Sequence, residues 1–235
     1  MTYDEFLHHK MVIAPNGGFD VPLSAINPAL KPHQRDAVQW ACKGGNRALF
    51  ESFGLGKTAQ ELEWCRLVTE HEDGWALIVL PLGVRQEFTR DAVRLLGWPT
   101  PPRYVRTMNE AREIMEAGGA GQSRRVSEAN RGAISEACSA EAHDTPCAWR
   151  EPKILMTNYE RVRDGDIEPE AFVAASLDEA SVLRSFGSKT YHTFLAKFKR
   201  VAYKLVSTAT PSPNRYKELI HYAGYKRFFS SSVMI

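Results

Sequence analysis

Residues 51–58 read ESFGLGKT and stand directly between the short apolar run RALF at 47–50 and a stretch with helical patterning. This strand, loop and helix order is the setting of a phosphate-binding loop. In such a loop Gly54 and Gly56 let backbone N–H groups curl around phosphate oxygens. Lys57 reaches the outer phosphates, and the Thr58 hydroxyl ligates magnesium at the positive end of the helix. The residues expected to line the site are Glu51, Ser52, Phe53, Gly54, Leu55, Gly56, Lys57 and Thr58.

One position of this loop departs from the usual GxxxxGK[ST] pattern. Glu51 stands where the first glycine is normally found. A glycine-rich turn before a surface lysine is therefore the alternative interpretation of the same residues. Companion motifs elsewhere in the chain have to decide between the two.

A second motif, SLDEAS at 176–181, follows the apolar stretch FVAA at 172–175. An aspartate that leaves the carboxyl end of a buried strand lies in the crevice where open α/β sheets bind ligands. We expect Asp178 to hold Mg²⁺, directly or through water, and Glu179 to act as general base on the attacking water. The alternative is a helix N-cap, since Asp followed by Glu and Ala starts helices well.

Length and composition are those of an intracellular enzyme domain. The chain has 235 residues, 43% of them hydrophobic, which is enough for one large core. No apolar run approaches the roughly 18 residues that cross a bilayer, and residues 1–10 are too polar for a signal peptide. We therefore expect no membrane contact and a cytoplasmic location in a bacterial or phage-infected cell. The four cysteines lack CxxC spacing, and a zinc site at Cys138, His143 and Cys147 would lack an evident fourth ligand.

The formal net charge of +2 hides an uneven distribution. Residues 180–217 contain no acidic residue but eight basic ones: Arg184, Lys189, Lys197, Lys199, Arg200, Lys204, Arg215 and Lys217. A stretch of one sign favours a polyanion partner, because neutralising phosphates releases counterions. A solvated helix face beside an acidic neighbour is an equal alternative.

Strand and helix patterns alternate along the chain, which predicts an α/β fold with a mostly parallel sheet and helices on both faces. Strands are predicted at 48–50, 76–80, 104–105, 154–157, 173–177 and 205–208. Helices are predicted at 32–43, 57–69, 84–96, 109–117, 189–198 and 215–223. Residues 1–29 are interpreted as a lead-in segment, 30–235 as the domain, and 118–150 as a surface insertion within it.

Six segments in order resemble the first RecA-like domain of superfamily 2 helicases of the Swi/Snf type. LKPHQ at 30–34 precedes FGLGKT at 53–58, and LIVLPL at 77–82 is similar to motif Ia. ILMTNYE at 154–160 is similar to the TTYE segment, DEAS at 178–181 to the DEAH box, and STATP at 207–211 to motif III. The family's phosphate loop often reads DEMGLGKT, so an acid at Glu51 is expected. Residues 6–10 and 26–30 also resemble helicase-like proteins of bacteriophages and prophages.

This resemblance implies roles for individual residues. It makes Gln34, expected near the helix surface, the hydrogen-bond partner of adenine, and it matches Lys57, Thr58, Asp178 and Glu179 to the ATP and Mg²⁺ positions. It implies that Thr208 and Thr210 couple the nucleotide site to the nucleic-acid track. The residues implied to grip a DNA or RNA backbone are Pro81, Leu82, Thr157 and Asn158.

Two departures from the family affect the functional expectation. Ser181 replaces the histidine of the DEAH box. The sequence ends about 25 residues after motif III, so we expect a truncated or split gene product whose second RecA-like domain, with its arginine finger, comes from elsewhere. The resemblance implies the ATP-hydrolysing half of a DNA helicase or double-stranded DNA translocase. The alternatives are an ATP-dependent nucleic-acid-binding module without turnover and an unrelated P-loop kinase or ATPase.

Overall fold

The fold is built on a twisted sheet of seven parallel strands in the order β3-β4-β2-β5-β6-β1-β7. The computed structural model describes residues 16–120, 152–180, 189–210 and 233–234. The strands are β1 Asn46–Phe50, β2 Ala76–Leu80, β3 Arg103–Tyr104, β4 Ile154–Asn158, β5 Ala174–Leu177, β6 Tyr203–Thr208 and β7 Val233–Met234. The fold class predicted from the alternation of patterns is confirmed.

The central strands are apolar because helices cover both of their faces. All five residues of β2 are buried. Alternate residues point to opposite faces, so Ile78 and Leu80 join one apolar cluster while Leu77 and Val79 join another. The sheet is therefore the middle layer of three.

Helices flank this sheet on each side. They are α1 Pro32–Gly44, α2 Lys57–Glu72, α3 Arg85–Arg90, α4 Met108–Ala120, α5 Tyr159–Asp164 and α6 Lys189–Lys197. Residues of α1, α2 and α3 belong to the first apolar cluster, and residues of α4, α5 and α6 belong to the second. Within the described residues no helix is both long and apolar enough to cross a bilayer.

The predicted helix at 84–96 is interrupted in the structure. Leu82–Val84 forms a 3₁₀ turn, α3 covers only Arg85–Arg90, and Asp91–Leu95 is a single π-helical turn. The π turn adds one residue to the repeat, which places Ala92 and Leu96 in the core and leaves Val93 and Leu95 exposed. Helix α5 was not predicted, and strand β7 lies in the ending 228–235, which the sequence indicated only as a strand or a linker. The predicted helix at 215–223 lies outside the described residues, as does 121–150 of the predicted insertion.

The described part of the lead-in segment packs on the domain. The N–H groups of Gly17, Gly18 and Phe19 donate to the last carbonyls of α1. This pairing satisfies acceptors that a helix end otherwise leaves open. Further along, the backbone N–H of Asn27 donates to Glu63 of α2, and its side chain donates to the carbonyl of Leu96.

A buried ion pair completes the attachment of the lead-in segment. Glu63 is fully buried, and its carboxylate accepts hydrogen bonds from Arg66. Arg66 also donates to the carbonyl of Ala25 at 2.7 Å. The lead-in segment is therefore fastened to the helix that begins at Lys57.

Candidate active site

The carboxyl ends of the parallel strands all lie at one edge of the sheet. In spatial order across the sheet this edge carries Val105, Asn158, Pro81, Asp178, Thr208 and Glu51. Residues that are far apart in sequence are thus neighbours, because Phe50 pairs with Thr208 and Leu80 pairs with Asn158. Ligands of open parallel sheets bind at this edge.

The loop at residues 51–58 joins β1 to α2 in the geometry of an anion cradle. Gly54 and Gly56 both have φ of +81°, in the left-handed region that favours glycine. The ammonium group of Lys57 lies over the loop and donates to the carbonyls of Glu51 and Ser52, at 3.0 and 3.1 Å. Helix α2 begins at Lys57, so its positive end faces the cradle.

Two glutamine side chains brace this loop from below. Gln34 donates from Nε2 to the carbonyl of Leu55 at 2.8 Å, and its Oε1 accepts from the N–H of Lys31. Gln60 donates to the carboxylate of Glu51 at 2.8 Å and to Leu55 at 3.3 Å. The acid that replaces the usual first glycine therefore has a local partner.

The expectation that Gln34 lies near the surface of its helix is wrong. Its exposed fraction is only 7%. A Cβ placed on Gly56 would lie 2.2 Å from its Nε2 atom, which shows how closely the amide packs against the loop. The side chain is thus part of the loop's support. Selection of adenine by Gln34 stays a prediction.

Asp178 and Glu179 follow β5 at the same edge. The N–H of Asp178 continues the strand ladder by donating to Val79 at 2.9 Å, which fixes its place beside β2. Burial raises the pKa of Asp178 to about 6, while the positive charge of Lys57 opposes that rise. The positive charge of Lys57, in the loop, therefore acts on the carboxylate of Asp178 after β5.

Glu61, a third carboxyl group that was not predicted, lies next to Asp178. It is completely buried on α2 and accepts a hydrogen bond from the hydroxyl of Ser176 on β5. Burial, together with the negative charge of Asp178, raises its pKa well above the ordinary value. The sequence QELE at 60–63 has the composition of an exposed helix face, so it does not indicate that Glu61 is buried. The burial becomes evident only when α2 is seen to be covered on more than one face.

The predicted coupling residues contact the predicted base. The hydroxyls of Thr208 and Thr210 both donate to Oε1 of Glu179, at 3.2 and 3.4 Å. The N–H of Thr210 in turn donates to the hydroxyl of Thr208 at 3.2 Å. The end of β6 therefore orients the carboxylate of Glu179, whose own backbone has φ of +47°.

The four predicted nucleic-acid contacts do not share one environment. Leu82 is exposed, and Pro81 and Asn158 are half-buried at the edge. Thr157 is completely buried and donates its hydroxyl to the carbonyl of Val105 at 3.0 Å. Its side chain joins β4 to the end of β3 and has no surface for a ligand, so Thr157 is corrected to a structural residue.

The basic stretch is only partly described and is not uniform. Lys204 is buried within β6, where it donates to the carbonyl of Val201, so it offers no charge to a polyanion. Arg200 pairs with Glu170 at 3.3 Å and precedes β6, at the opposite edge of the sheet from Asp178. Arg184, Arg215, Lys217 and the cluster of Cys138, His143 and Cys147 lie outside the described residues.

The residues present fit a nucleoside triphosphate with magnesium. The cradle supplies backbone N–H groups and the lysine, and the hydroxyl of Thr58 and the carboxylate of Asp178 are hard oxygen ligands of the kind Mg²⁺ takes. Among the described residues no group of three or more His, Cys, Asp and Glu side chains forms a metal site of its own. This donor set suits an ion that arrives with phosphate oxygens, as Mg²⁺ commonly does.

Fold and site together define the class: this is a RecA-like α/β domain whose β1–α2 loop has the geometry of an anion cradle. No family model matches the sequence, and no curated protein does either. Among solved structures, the chain is similar to the Sulfolobus solfataricus SWI2/SNF2 ATPase core in complex with double-stranded DNA. The TM-score is 0.53 at 16% identity, over 92% of this chain and 37% of that one.

It is also similar to the UvsW helicase of bacteriophage T4. Here the TM-score is 0.53 at 12% identity, over 100% of this chain and 67% of that one. At these identities the likeness establishes the fold, which is that of helicase-like ATPase cores.

Proposed function

We propose that this chain is the ATP-binding half of an ATP-dependent DNA helicase or double-stranded DNA translocase. The observation that carries the proposal is the meeting of three sequence-distant parts at one sheet edge. The first is the loop in which Gly54 and Gly56 have left-handed backbone conformations. The second is the pair of carboxylates that follows β5, and the third is the end of β6, where the hydroxyls of Thr208 and Thr210 donate to Glu179. A turn before a surface lysine, or an N-cap aspartate, would require none of these relationships.

In this proposal the residues divide the chemistry between them. The loop and Lys57 hold the phosphates of ATP, while Thr58 and Asp178 hold magnesium, which supplies electrophilic polarisation of the phosphates when bound. Glu179 accepts the proton of the attacking water, and Thr208 and Thr210 keep its Oε1 atom oriented. Charge that develops on the transferred phosphoryl group still calls for an arginine, which we assign to a second RecA-like domain.

Nucleic acid is proposed to lie over the β4 and β2 part of the edge. Pro81, Leu82 and Asn158 are the accessible residues there. The structurally similar SWI2/SNF2 core was solved in complex with double-stranded DNA, and this favours a duplex as the partner. RNA is the less favoured partner. Specificity toward phage processes, suggested by residues 6–10 and 26–30, is part of the proposal and not of the established fold.

The nucleotide assignment is tested by calorimetric titration of the chain with ATP and Mg²⁺. Lys57→Ala is expected to weaken binding by at least about tenfold, because the ammonium matches charge on the outer phosphates. The matched control is Lys43→Ala, whose ammonium pairs with Asp20 at the far end of α1. Equal affinity in all three proteins would rule out the phosphate site.

The second candidate function is an ATP-dependent nucleic-acid-binding module that does not turn over. The two are separated by phosphate release measured with and without duplex DNA. Slow release with little stimulation is expected for this chain by itself, since an arginine finger contributes roughly 10³–10⁵ in rate. Binding of ATP with no release above that of the Lys57→Ala variant would favour the binding module.

A further inference from the structure

Tyr159 makes a contact that the proposed function has not used. It is the first residue of α5, directly after β4, and its side chain is buried. Its hydroxyl donates a hydrogen bond of 2.6 Å to the backbone carbonyl of Asp178. Strand β2 lies between β4 and β5, so this hydrogen bond connects segments that follow two strands which are not neighbours in the sheet.

The acceptor of this hydrogen bond belongs to a peptide group next to an unusual backbone conformation. The carbonyl of Asp178 belongs to the peptide that leads into Glu179, and the orientation of that peptide helps to set φ of Glu179. That angle is +47°, which is uncommon for a residue with a side chain. The surrounding structure must hold such a conformation in place.

The two ends of this short segment are held by different strands. The N–H of Asp178 donates to Val79 of β2, and its carbonyl accepts from Tyr159 at the end of β4. The carboxylate of Glu179 is held separately, by Thr208, the last residue of β6, and by Thr210, two residues further on. Tyr159 therefore controls the backbone of Glu179 from the side of the sheet opposite to that of the threonines.

The aromatic ring of Tyr159 is itself well supported. Its centroid lies 5.6 Å from that of Phe194 on α6, which stacks in turn on Phe198. The ring is thus anchored without its hydroxyl, so removal of that one oxygen leaves the packing in place. Asn158, the residue before it, is one of the accessible residues on the nucleic-acid side of the edge.

From these contacts we infer that Tyr159 is a positioning residue for Glu179, acting through the carbonyl of Asp178. The inference rests on the proposed function, since Glu179 has a water to activate only if the chain hydrolyses ATP. In this arrangement the hydroxyl maintains the left-handed backbone of Glu179 and so aims its carboxylate at the attacking water. The same hydroxyl connects the end of β4, where nucleic acid is proposed to bind, to the hydrolytic residue.

The test is Tyr159→Phe, which deletes the hydroxyl and keeps the ring. Its matched control is Tyr203→Phe, another buried tyrosine, whose hydroxyl donates to Glu72 away from the site. ATP hydrolysis is measured in single turnover with protein in excess, and ATP affinity is measured by titration. We expect Tyr159→Phe to slow hydrolysis about tenfold, as the loss of one oriented hydrogen bond would, with ATP affinity within about twofold of wild type.

Affinity for ADP with aluminium fluoride supplies a second readout. Mispositioning of Glu179 weakens binding of this transition-state mimic relative to ADP, because only the mimic requires the aligned water. A purely structural role would weaken both ligands together or neither. We expect the affinity for ADP with aluminium fluoride, divided by the affinity for ADP alone, to fall by about the same factor as the rate of hydrolysis. This fall is expected in Tyr159→Phe and not in Tyr203→Phe.

The outcomes separate the inference from the function beneath it. Hydrolysis by Tyr159→Phe at the rate of Tyr203→Phe overturns the inference and leaves the function intact. A wild-type chain that binds ATP without hydrolysing it overturns the inference in favour of the binding module. A wild-type chain that does not bind ATP overturns the proposed function itself.

Discussion

The side-chain amide of Gln34 donates a hydrogen bond of 2.8 Å to the backbone carbonyl of Leu55. This contact ties the first turn of α1 to the middle of the phosphate-binding loop, 21 residues further along the chain. The other end of the same amide accepts from Lys31, so one side chain both caps a helix and braces a loop. Under the proposed function, nucleotide binding and the stability of α1 are therefore linked through Gln34.

Gln34→Ala is expected to lower both stability and ATP affinity. The loss of two partly buried hydrogen bonds should reduce the free energy of unfolding by about 1–3 kcal/mol. Urea unfolding measures this change, and competition of GTP against a fluorescent ATP analogue measures nucleotide preference. Gln39→Ala, which removes one hydrogen bond from α1 to Val21 away from the loop, is the control. A variant as stable as wild type would show that the amide does not brace the loop.

Two glycines of the loop separate backbone strain from steric contact. Both have φ of +81°, but a Cβ on Gly54 meets no atom within 4 Å, whereas one on Gly56 lies 2.2 Å from Gln34. Gly54→Ala should cost about 1–2 kcal/mol of stability from its conformation alone. Gly56→Ala should cost more and should weaken ATP binding further, because the clash displaces the brace.

Equal losses in the two variants would contradict the close packing of Gln34 against Gly56. Gly83→Ala serves as the control, since its Cβ has open space and its φ lies outside the left-handed region. Thermal unfolding and ATP titration of the three variants give the comparison.

Thr208→Val tests the orientation of the general base. Valine keeps the shape of this buried side chain but removes the donor to Glu179 and the acceptor for the N–H of Thr210. ATP affinity should remain within about twofold while single-turnover hydrolysis slows about threefold to tenfold. Thr69→Val, which removes a buried hydroxyl bonded to the carbonyl of Arg66, provides the control. A rate equal to that of the control would remove Thr208 from the catalytic arrangement.

Lys204 gives the fold a pH dependence of known sign. Burial lowers the pKa of its ammonium group from 10.5 to about 8. Below pH 8 both folded and unfolded chains are protonated, so the full cost of burying the charge is present. Between pH 8 and 10.5 the folded chain has released the proton first, and this contribution to stability rises with pH.

Lys204→Met is therefore expected to be more stable than wild type at pH 7, by on the order of 1–3 kcal/mol. The gain should shrink as pH rises through 9 and 10. Urea unfolding across this range measures the difference, with the exposed Lys199→Met as control. A gain that stays constant with pH would show that Lys204 is not the titrating group.

The local conformation of segments at the site was predictable from the sequence. The phosphate-binding loop and the strand at 76–80 are governed by neighbours in the chain, through glycine geometry and unbroken apolar runs. The order of strands was not predictable in this way, because the pairing of β1 with β6 is decided by packing between residues 158 positions apart. Strands β1 to β6 were each located in the sequence, and the neighbours of each strand in the sheet were not.

The features that sequence reasoning missed, namely the burial and the contacts of these residues, share a physical cause. Glu61 and Gln34 are polar side chains on helices and look solvent-exposed by composition, yet both are buried against the loop and the sheet. Thr157 follows the family pattern for a ligand contact, but it is buried and its hydroxyl donates to the carbonyl of Val105. In the sequence, Tyr159 is an ordinary aromatic residue. Only the structure shows that its hydroxyl donates to the carbonyl of Asp178. Burial of polar groups is a tertiary property, and composition does not report it.

The parallel pairing of β1 also governs when the site can exist. Both neighbours of β1, namely β6 and β7, come from residues after 200, although β1 itself is formed by residues 46–50. During synthesis on the ribosome β1 must therefore wait for about 150 further residues before it can pair on either side. The phosphate-binding loop that follows β1 lacks its final anchor for the same interval. Under the proposed function, ATP can therefore bind only late in folding, after the newly made chain has closed the sheet around β1.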